Sequence, residues 1–365
     1  MDKHIEKNAH GGDVYRNAVD LDFSVNINPF GIPAGVKRAL MEAIEVCTQY
    51  PDTHVEALRT AMAEKEAVPS DCLLFGNGAS ELFVAIIHAK KPKTVLIPVP
   101  SFSGYQSAAS CEDCQIDYYY MKKENDFLLT DDFIYTLTVQ IETHNAPDLI
   151  FLANPNNPTG SCIQPAILLQ LISICETYNI TLVIDECFLE FTTHTDESLM
   201  AKAVQSTHLI VVRAFTKIYG IPGVRLGYLA ASKENVMQLK KQLPEWNVSL
   251  LAQYAGVAAL KETDFVQNTV AYVKTQRDYL TKQLRALGLT VWPGEADYLL
   301  FQSDQDLYQA LLQKKILIRD CSNYEGLEQG YYRIAVKPEE ANKRLIQALK
   351  ECLAITGNKV PITTD

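Results

Sequence analysis

Residues 148–186 read DLIFLANPNNPTGSCIQPAILLQLISICETYNITLVIDE. The stretch opens on one apolar run, from Leu149 to Ala153, and closes on another, from Ile180 to Ile184. Neither run alternates polar with apolar residues, which is the pattern of a strand buried on both faces. Between them lies a helical stretch, residues 164–179. Similar runs stand on either side: CLLFGNG (72–78), TVLIPVP (94–100), HLIVVRAF (208–215) and VRLGYLA (224–230). Strands alternating with helices imply a mainly parallel sheet with helices on both sides, a three-layer α/β/α domain of the α/β class.

Beyond about residue 260 the texture changes. A long helical pattern over 264–287 precedes the strand-like pieces LTVWPG, YLLFQSD and KILIRD, then YYRIAV and a terminal helix. This order suggests a smaller α+β domain with which the N-terminal segment packs. Residues 48–260 are expected to form the large domain, and 1–47 with 261–365 the small one.

The chain has 365 residues, 47% hydrophobic and 21% charged, which is ordinary globular composition and enough for two domains. A formal net charge of -11 argues against a general binder of nucleic acid or membrane surfaces. It does not exclude an anionic substrate, because a few arginines in a cleft set the local field. The N-terminal MDKHIEKNAHGGDVY lacks the apolar core of a signal peptide, and no stretch approaches the roughly 20 apolar residues that span a bilayer. A cytoplasmic enzyme is expected. Nine scattered cysteines, most of them in apolar runs, read as reduced thiols. Cys111 and Cys114 form a lone CEDC without a second ligand pair, so no metal is expected.

Ligand-binding residues in open α/β sheets gather at the carboxyl ends of the strands. Four polar groups stand at such ends. Gly76-Asn77-Gly78-Ala79-Ser80 turns into a helix N-terminus, whose N–H groups and dipole suit a phosphate, although the same residues also make an ordinary turn and cap. Asn154 to Gly160 holds two prolines, a glycine and three asparagines, more amide groups than a structural loop requires. Asp185-Glu186 closes a fully apolar strand, so its acidic groups need solvent or a partner, such as a protonated ring nitrogen. Lys217 follows another apolar run, where burial lowers a lysine pKa and makes it nucleophilic toward an aldehyde. Arg225, eight residues on, offers the forked donors that match a phosphate.

With NPNNPTG (154–160), Asp185-Glu186 and TKIYGIPGVRLGY (216–228) in that order, the chain resembles the fold-type I pyridoxal-phosphate enzymes, in the aminotransferase class I/II group. The resemblance covers nearly the whole length. It implies pyridoxal 5'-phosphate as cofactor, with Lys217 as the lysine that carries it and then shuttles protons. It further implies Asp185 at the ring nitrogen, Asn157 at the phenolic oxygen and Phe102 stacked on the ring. Gly78, Ala79, Ser80, Thr216 and Arg225 would hold the phosphate. Tyr50 is similar to the tyrosine that reaches the neighbouring subunit's site, which implies a homodimer. Two positions depart from the family pattern: Ala214 replaces a Ser or Thr, and Phe188 replaces a tyrosine.

Arg319 and Arg333 each lie in a strand-like piece of the small domain, where two guanidinium forks could grip two anionic groups. The pair resembles the branch that transaminates histidinol phosphate. The N-terminal pieces His10-Gly11-Gly12 and residues 22–31 (DFSVNINPFG), with DECFLEF, LPEWNVSLLAQ and LIRDCSNYEGL, resemble instead the branch that decarboxylates O-phospho-L-threonine in cobalamin biosynthesis. That resemblance implies a small phosphorylated amino acid as substrate. His10, Gly11, Asn26, Asn157, Arg319 and Arg333 would contact it, the glycines allowing close backbone approach.

Overall fold

A computed structural model describes residues 10–357; the first nine residues, part of the N-terminal stretch read above, lie outside that range. Its centre is a seven-stranded sheet. Across the sheet the strands run Leu73–Gly76, Gly227–Ala230, Leu209–Ala214, Thr181–Asp185, Leu149–Ala153, Thr94–Val99 and Gln115–Tyr120. All run in one direction except Gly227–Ala230, which is antiparallel to the strands on both sides of it. The class and the mainly parallel sheet are those expected.

The reason for the unbroken apolar runs is visible in the packing. Leu149 and Phe151 enter one hydrophobic core, while Ile150 and Leu152 enter the other on the opposite face. Each such side chain contributes roughly 1.5–3 kcal/mol by leaving water, and a polar residue on either face would forfeit that. The helix Pro165–Tyr178 covers one face. Its Pro165 sits where the missing N–H costs nothing, and Asn179 ends it in the left-handed region at φ 56°. Gln115–Tyr120 is a strand that the apolar runs do not announce. It is an edge strand paired on one side only, and its residues are partly exposed.

A second sheet has four antiparallel strands in the order Arg319–Asp320, Tyr331–Ala335, Tyr298–Gln302 and Thr290–Val291. Leu21–Asp22 pairs in parallel with Ile316–Leu317, which ties the N-terminal segment to this region. The long helix Thr263–Ala286 and the terminal helix Glu339–Gly357 pack together beside it. In the register of the small sheet Arg319 lies directly opposite Arg333.

Candidate active site

Parallel strands end on the same side of a sheet, so the segments that follow them share one rim. Gly78 follows Leu73–Gly76, Phe102 follows Thr94–Val99, Asn157 follows Leu149–Ala153, Asp185 ends its own strand, and Lys217 follows Leu209–Ala214. The antiparallel strand Gly227–Ala230 begins at that rim, which brings Arg225 there as well. At that rim lies a cavity of about 280 Å³. Its walls include Ala79, Ser80, Phe102, Asn157, Asp185, Thr216, Lys217 and Arg225 on the sheet side. His10, Gly11, Asn26, Arg319 and Arg333 close it from the small-sheet side.

Two of the expected site residues stand apart from this wall. Gly78 lies just behind it at φ 86°, a backbone conformation that favours glycine, and a Cβ there would fall 2.2 Å from Arg225 Nη2 and push that guanidinium aside. No side chain caps the helix Ala79–Lys90 that follows. Tyr50 lies elsewhere, 79% exposed, with its ring 4.8 Å from that of Trp246.

Asp185 is buried, and its two oxygens are held apart by different donors. The Tyr105 hydroxyl donates to Oδ2 at 2.6 Å, and the Cys187 N–H donates to Oδ1 at 2.9 Å. Burial pushes its carboxyl up against those hydrogen bonds. A cation placed before it would favour the charged form. Burial likewise lowers the Lys217 pKa, favouring the neutral, nucleophilic amine. The Lys217 Nζ stands 5.9 Å from the centre of the Phe188 ring.

Arg333 Nη2 donates to the Ser24 carbonyl at 2.8 Å, and Nη1 donates to Asn157 Oδ1 and to the Tyr324 hydroxyl. Its Nε is buried without a partner among the described residues. Arg319 Nη2 donates to Asn323 Oδ1 at 2.7 Å, and its guanidinium lies 5.1 Å over the Tyr324 ring. His10 faces Phe102 at 6.0 Å, and burial, then Arg319, Arg333 and Lys217, lower its pKa. The glycines beside His10 do permit a close approach, but to protein: a Cβ on Gly11 would fall 2.2 Å from the Ser24 carbonyl oxygen.

Tyr105, Tyr324 and Ser24 also belong to this wall, and the motifs alone do not single them out. Tyr105 lies three residues after Phe102 on the next turn, a spacing that could have linked them. The structure also shows what accompanies the Phe188 departure. The side chain offers no donor, and the Tyr324 hydroxyl instead stands 3.4 Å from Asn157 Oδ1. Glu186 faces away from the cavity, accepting from Ser198 Oγ at 2.7 Å and from Arg213 Nε at 3.2 Å.

The model of the aminotransferase class I and II family matches residues 18–349. The chain belongs to that family. Threonine-phosphate decarboxylase of Salmonella typhimurium is 36% identical over 94% of this chain and 96% of its own length. Among solved structures, a histidinol-phosphate aminotransferase from Clostridium acetobutylicum superposes with a TM-score of 0.84 at 28% identity, covering 92% of this chain and 99% of that one. L-threonine-O-3-phosphate decarboxylase from Porphyromonas gingivalis superposes with a TM-score of 0.78 at 26% identity over the same shares. As in the rest of the family, the cofactor is pyridoxal 5'-phosphate. The cavity fits it: an uncapped helix start beside Arg225, a buried carboxylate at one end, an amine of lowered pKa, and Phe102 on the wall.

Proposed function

We propose that this chain is a lyase that removes the carboxylate of O-phospho-L-threonine, releasing CO2 and 1-amino-2-propanol phosphate. The likeness to threonine-phosphate decarboxylase, 36% identical over 94% of this chain, carries this reading, and the pairing of Arg319 with Arg333 supports a substrate with anionic groups. The two arginines lie directly opposite one another on adjacent strands, 6% and 5% exposed. Like charges so placed repel, and burial strengthens the repulsion. Seating an anion between them relieves it, and the proposed substrate brings both a phosphate and a carboxylate into the cavity that Lys217 enters.

When bound, pyridoxal phosphate supplies an electron sink for whichever bond at the α-carbon stands perpendicular to its ring. The chain's own residues set that geometry. Gly78, Ala79, Ser80, Thr216 and Arg225 would hold the cofactor phosphate, and Asp185 would keep a negative charge at the ring nitrogen. Asn157 would contact the phenolic oxygen, with Phe102 against the ring. Arg319, Arg333, His10, Gly11 and Asn26 would seat the substrate's anionic groups. After the carbon–carbon bond to CO2 breaks, Lys217 gives its proton to the α-carbon and recovers one from solvent. One C–C bond is replaced by one C–H bond, and the cofactor is unchanged.

We also propose a homodimer in the cytoplasm, with Tyr50 reaching the neighbouring subunit's cavity. Its exposure in a single chain, with Met41, Ile44 and Tyr254 also exposed, supports that reading. Among the described residues no helix is long and apolar enough to cross a membrane.

The test presents the cofactor-loaded protein with three substrates separately: O-phospho-L-threonine, O-phospho-L-serine, and histidinol phosphate with 2-oxoglutarate. Turnover of the first without any 2-oxo acid is expected. Turnover of histidinol phosphate alone would make the chain an aminotransferase.

A further inference from the structure

Asp297 opens the strand Tyr298–Gln302, and nothing in the reaction above uses it. It is fully buried, and neither carboxylate oxygen has a hydrogen-bond partner among the described residues. A polar group in that state is costly, and a charged one more so, unless a cation lies in its field. It does not line the cavity, so it touches neither substrate nor cofactor.

The charged and titratable groups facing Asp297 are Lys217, Lys337, Arg333, Arg277 and Tyr298. Three of the four cations have other partners, Arg277 donating to the Glu295 and Ala296 carbonyls. Lys337 Nζ donates to the Val25 carbonyl at 3.3 Å, and Arg333 donates to Asn157, Tyr324 and Ser24. Lys217 shares the Phe188 ring with the residue next to Asp297. The Tyr298 ring meets Phe188 edge-on at 4.9 Å, and the Lys217 Nζ lies 5.9 Å from the same ring. The groups facing Lys217 are Asp297, Arg333, Cys187, Arg225, Asp185 and His10. Burial weakens the hold of Lys217 on its proton, and Asp297 is the strongest charge opposing that. Reciprocally, burial pushes the Asp297 carboxyl up to about 6, and Lys217 is the strongest charge pulling it back down.

We propose that Asp297 is a positioning residue of the reaction: a buried counter-charge, out of reach of the substrate, that sets how firmly Lys217 holds the proton it delivers to the α-carbon. This rests on Lys217 being the lysine that carries the cofactor and the proton. In the delivery step an N–H bond of the Lys217 ammonium breaks as the C–H bond forms, leaving a neutral amine. An ionised Asp297 favours the ammonium beforehand, and a neutral residue there lets the proton go to solvent at lower pH.

Asp297→Asn keeps the size and removes the charge. The first readout is the rate at which cofactor-free protein takes up pyridoxal phosphate as pH is varied, since only the neutral amine attacks the aldehyde. The second is the pH profile of decarboxylation. Both midpoints should fall by about one pH unit in the variant. Asp297→Glu, which restores the charge, should move them back toward the wild type. A folded Asp297→Asn protein with unmoved midpoints would overturn the proposal. If that variant does not fold, Asp297→Ser is read in the same way, and failure of both to fold assigns Asp297 to structure instead. Lys217→Ala is the control that separates the two ideas. If it still takes up cofactor covalently, the role of Lys217 itself fails; if it does not, unmoved midpoints count against Asp297 alone.

Discussion

Replacing either Arg319 or Arg333 by lysine keeps the charge but loses the planar fork that matches a phosphate or carboxylate. Hydrogen bonds to charged groups are worth about 1.5–3 kcal/mol, so each variant should lose roughly 10- to 100-fold in kcat/KM for O-phospho-L-threonine, mostly through KM. Steady-state kinetics with unchanged constants would remove that arginine from the substrate site. Asp297 gives a second prediction, on stability. Its carboxyl is held at about 6 against an unfolded value of 3.8, so the folded state binds the extra proton. That contribution is fully present below the unfolded value and is lost as pH rises through about 6. Asp297→Asn removes the dependence. Between pH 4 and pH 7 the cofactor-free variant should therefore gain about 2 kcal/mol relative to wild type in denaturant melts. Parallel curves for the two proteins would show that the carboxyl titrates normally. Lys217, Asp185 and Asn157 could be found from sequence because each closes or follows an apolar run, where a polar residue needs a reason. Tyr105, Tyr324 and Asp297 could not. A buried tyrosine reads as core, and an aspartate before a strand reads as a turn, until the fold sets Tyr105 on Asp185 and Tyr324 on Arg333 and buries Asp297.

At the scale of elements, the central sheet was legible because strands covered on both faces show no alternation. Gln115–Tyr120 escaped for the complementary reason: an edge strand with Gln, Asp and three tyrosines has one covered side and no apolar run. The antiparallel turn of Gly227–Ala230 was not legible either, since the direction of a strand leaves no mark in its composition. That direction is what carries Arg225 to the rim. The start of the helix Ala79–Lys90 is the element on which cofactor phosphate binding depends in this reading. Gly78 has φ 86°, and a side chain there would run into Arg225. Gly78→Ala should weaken cofactor binding at least tenfold, because the left-handed backbone costs about 1–2 kcal/mol and the guanidinium must move. Absorbance titration of the cofactor-free variant measures this, and wild-type affinity would show that the helix start does not hold the phosphate.

For the whole molecule, two sheets and the N-terminal segment meet at one cavity, and the substrate-side residues come from parts of the chain some 300 positions apart, from His10 to Arg333. No local motif could reveal that meeting; the family resemblance supplied it, and the fold places those residues on a common wall. Tyr50 extends the same logic across subunits. If it completes the neighbour's site, Tyr50→Ala and Lys217→Ala homodimers should each be nearly inactive, and mixing them after subunit exchange should restore up to about a quarter of wild-type activity, from dimers in which one site keeps both residues. Activity of the mixture no greater than the sum of its parts would confine each site to a single chain. The central claim, that a carboxylate leaves and no amino group is transferred, is tested most directly with O-phospho-L-threonine carrying 13C in its carboxyl group. Incubated with the loaded enzyme and no 2-oxo acid, it should release labelled CO2 in one-to-one proportion with 1-amino-2-propanol phosphate over many turnovers. Retention of the label in a 2-oxo acid, with activity only when an amino acceptor is supplied, would contradict the decarboxylase reading.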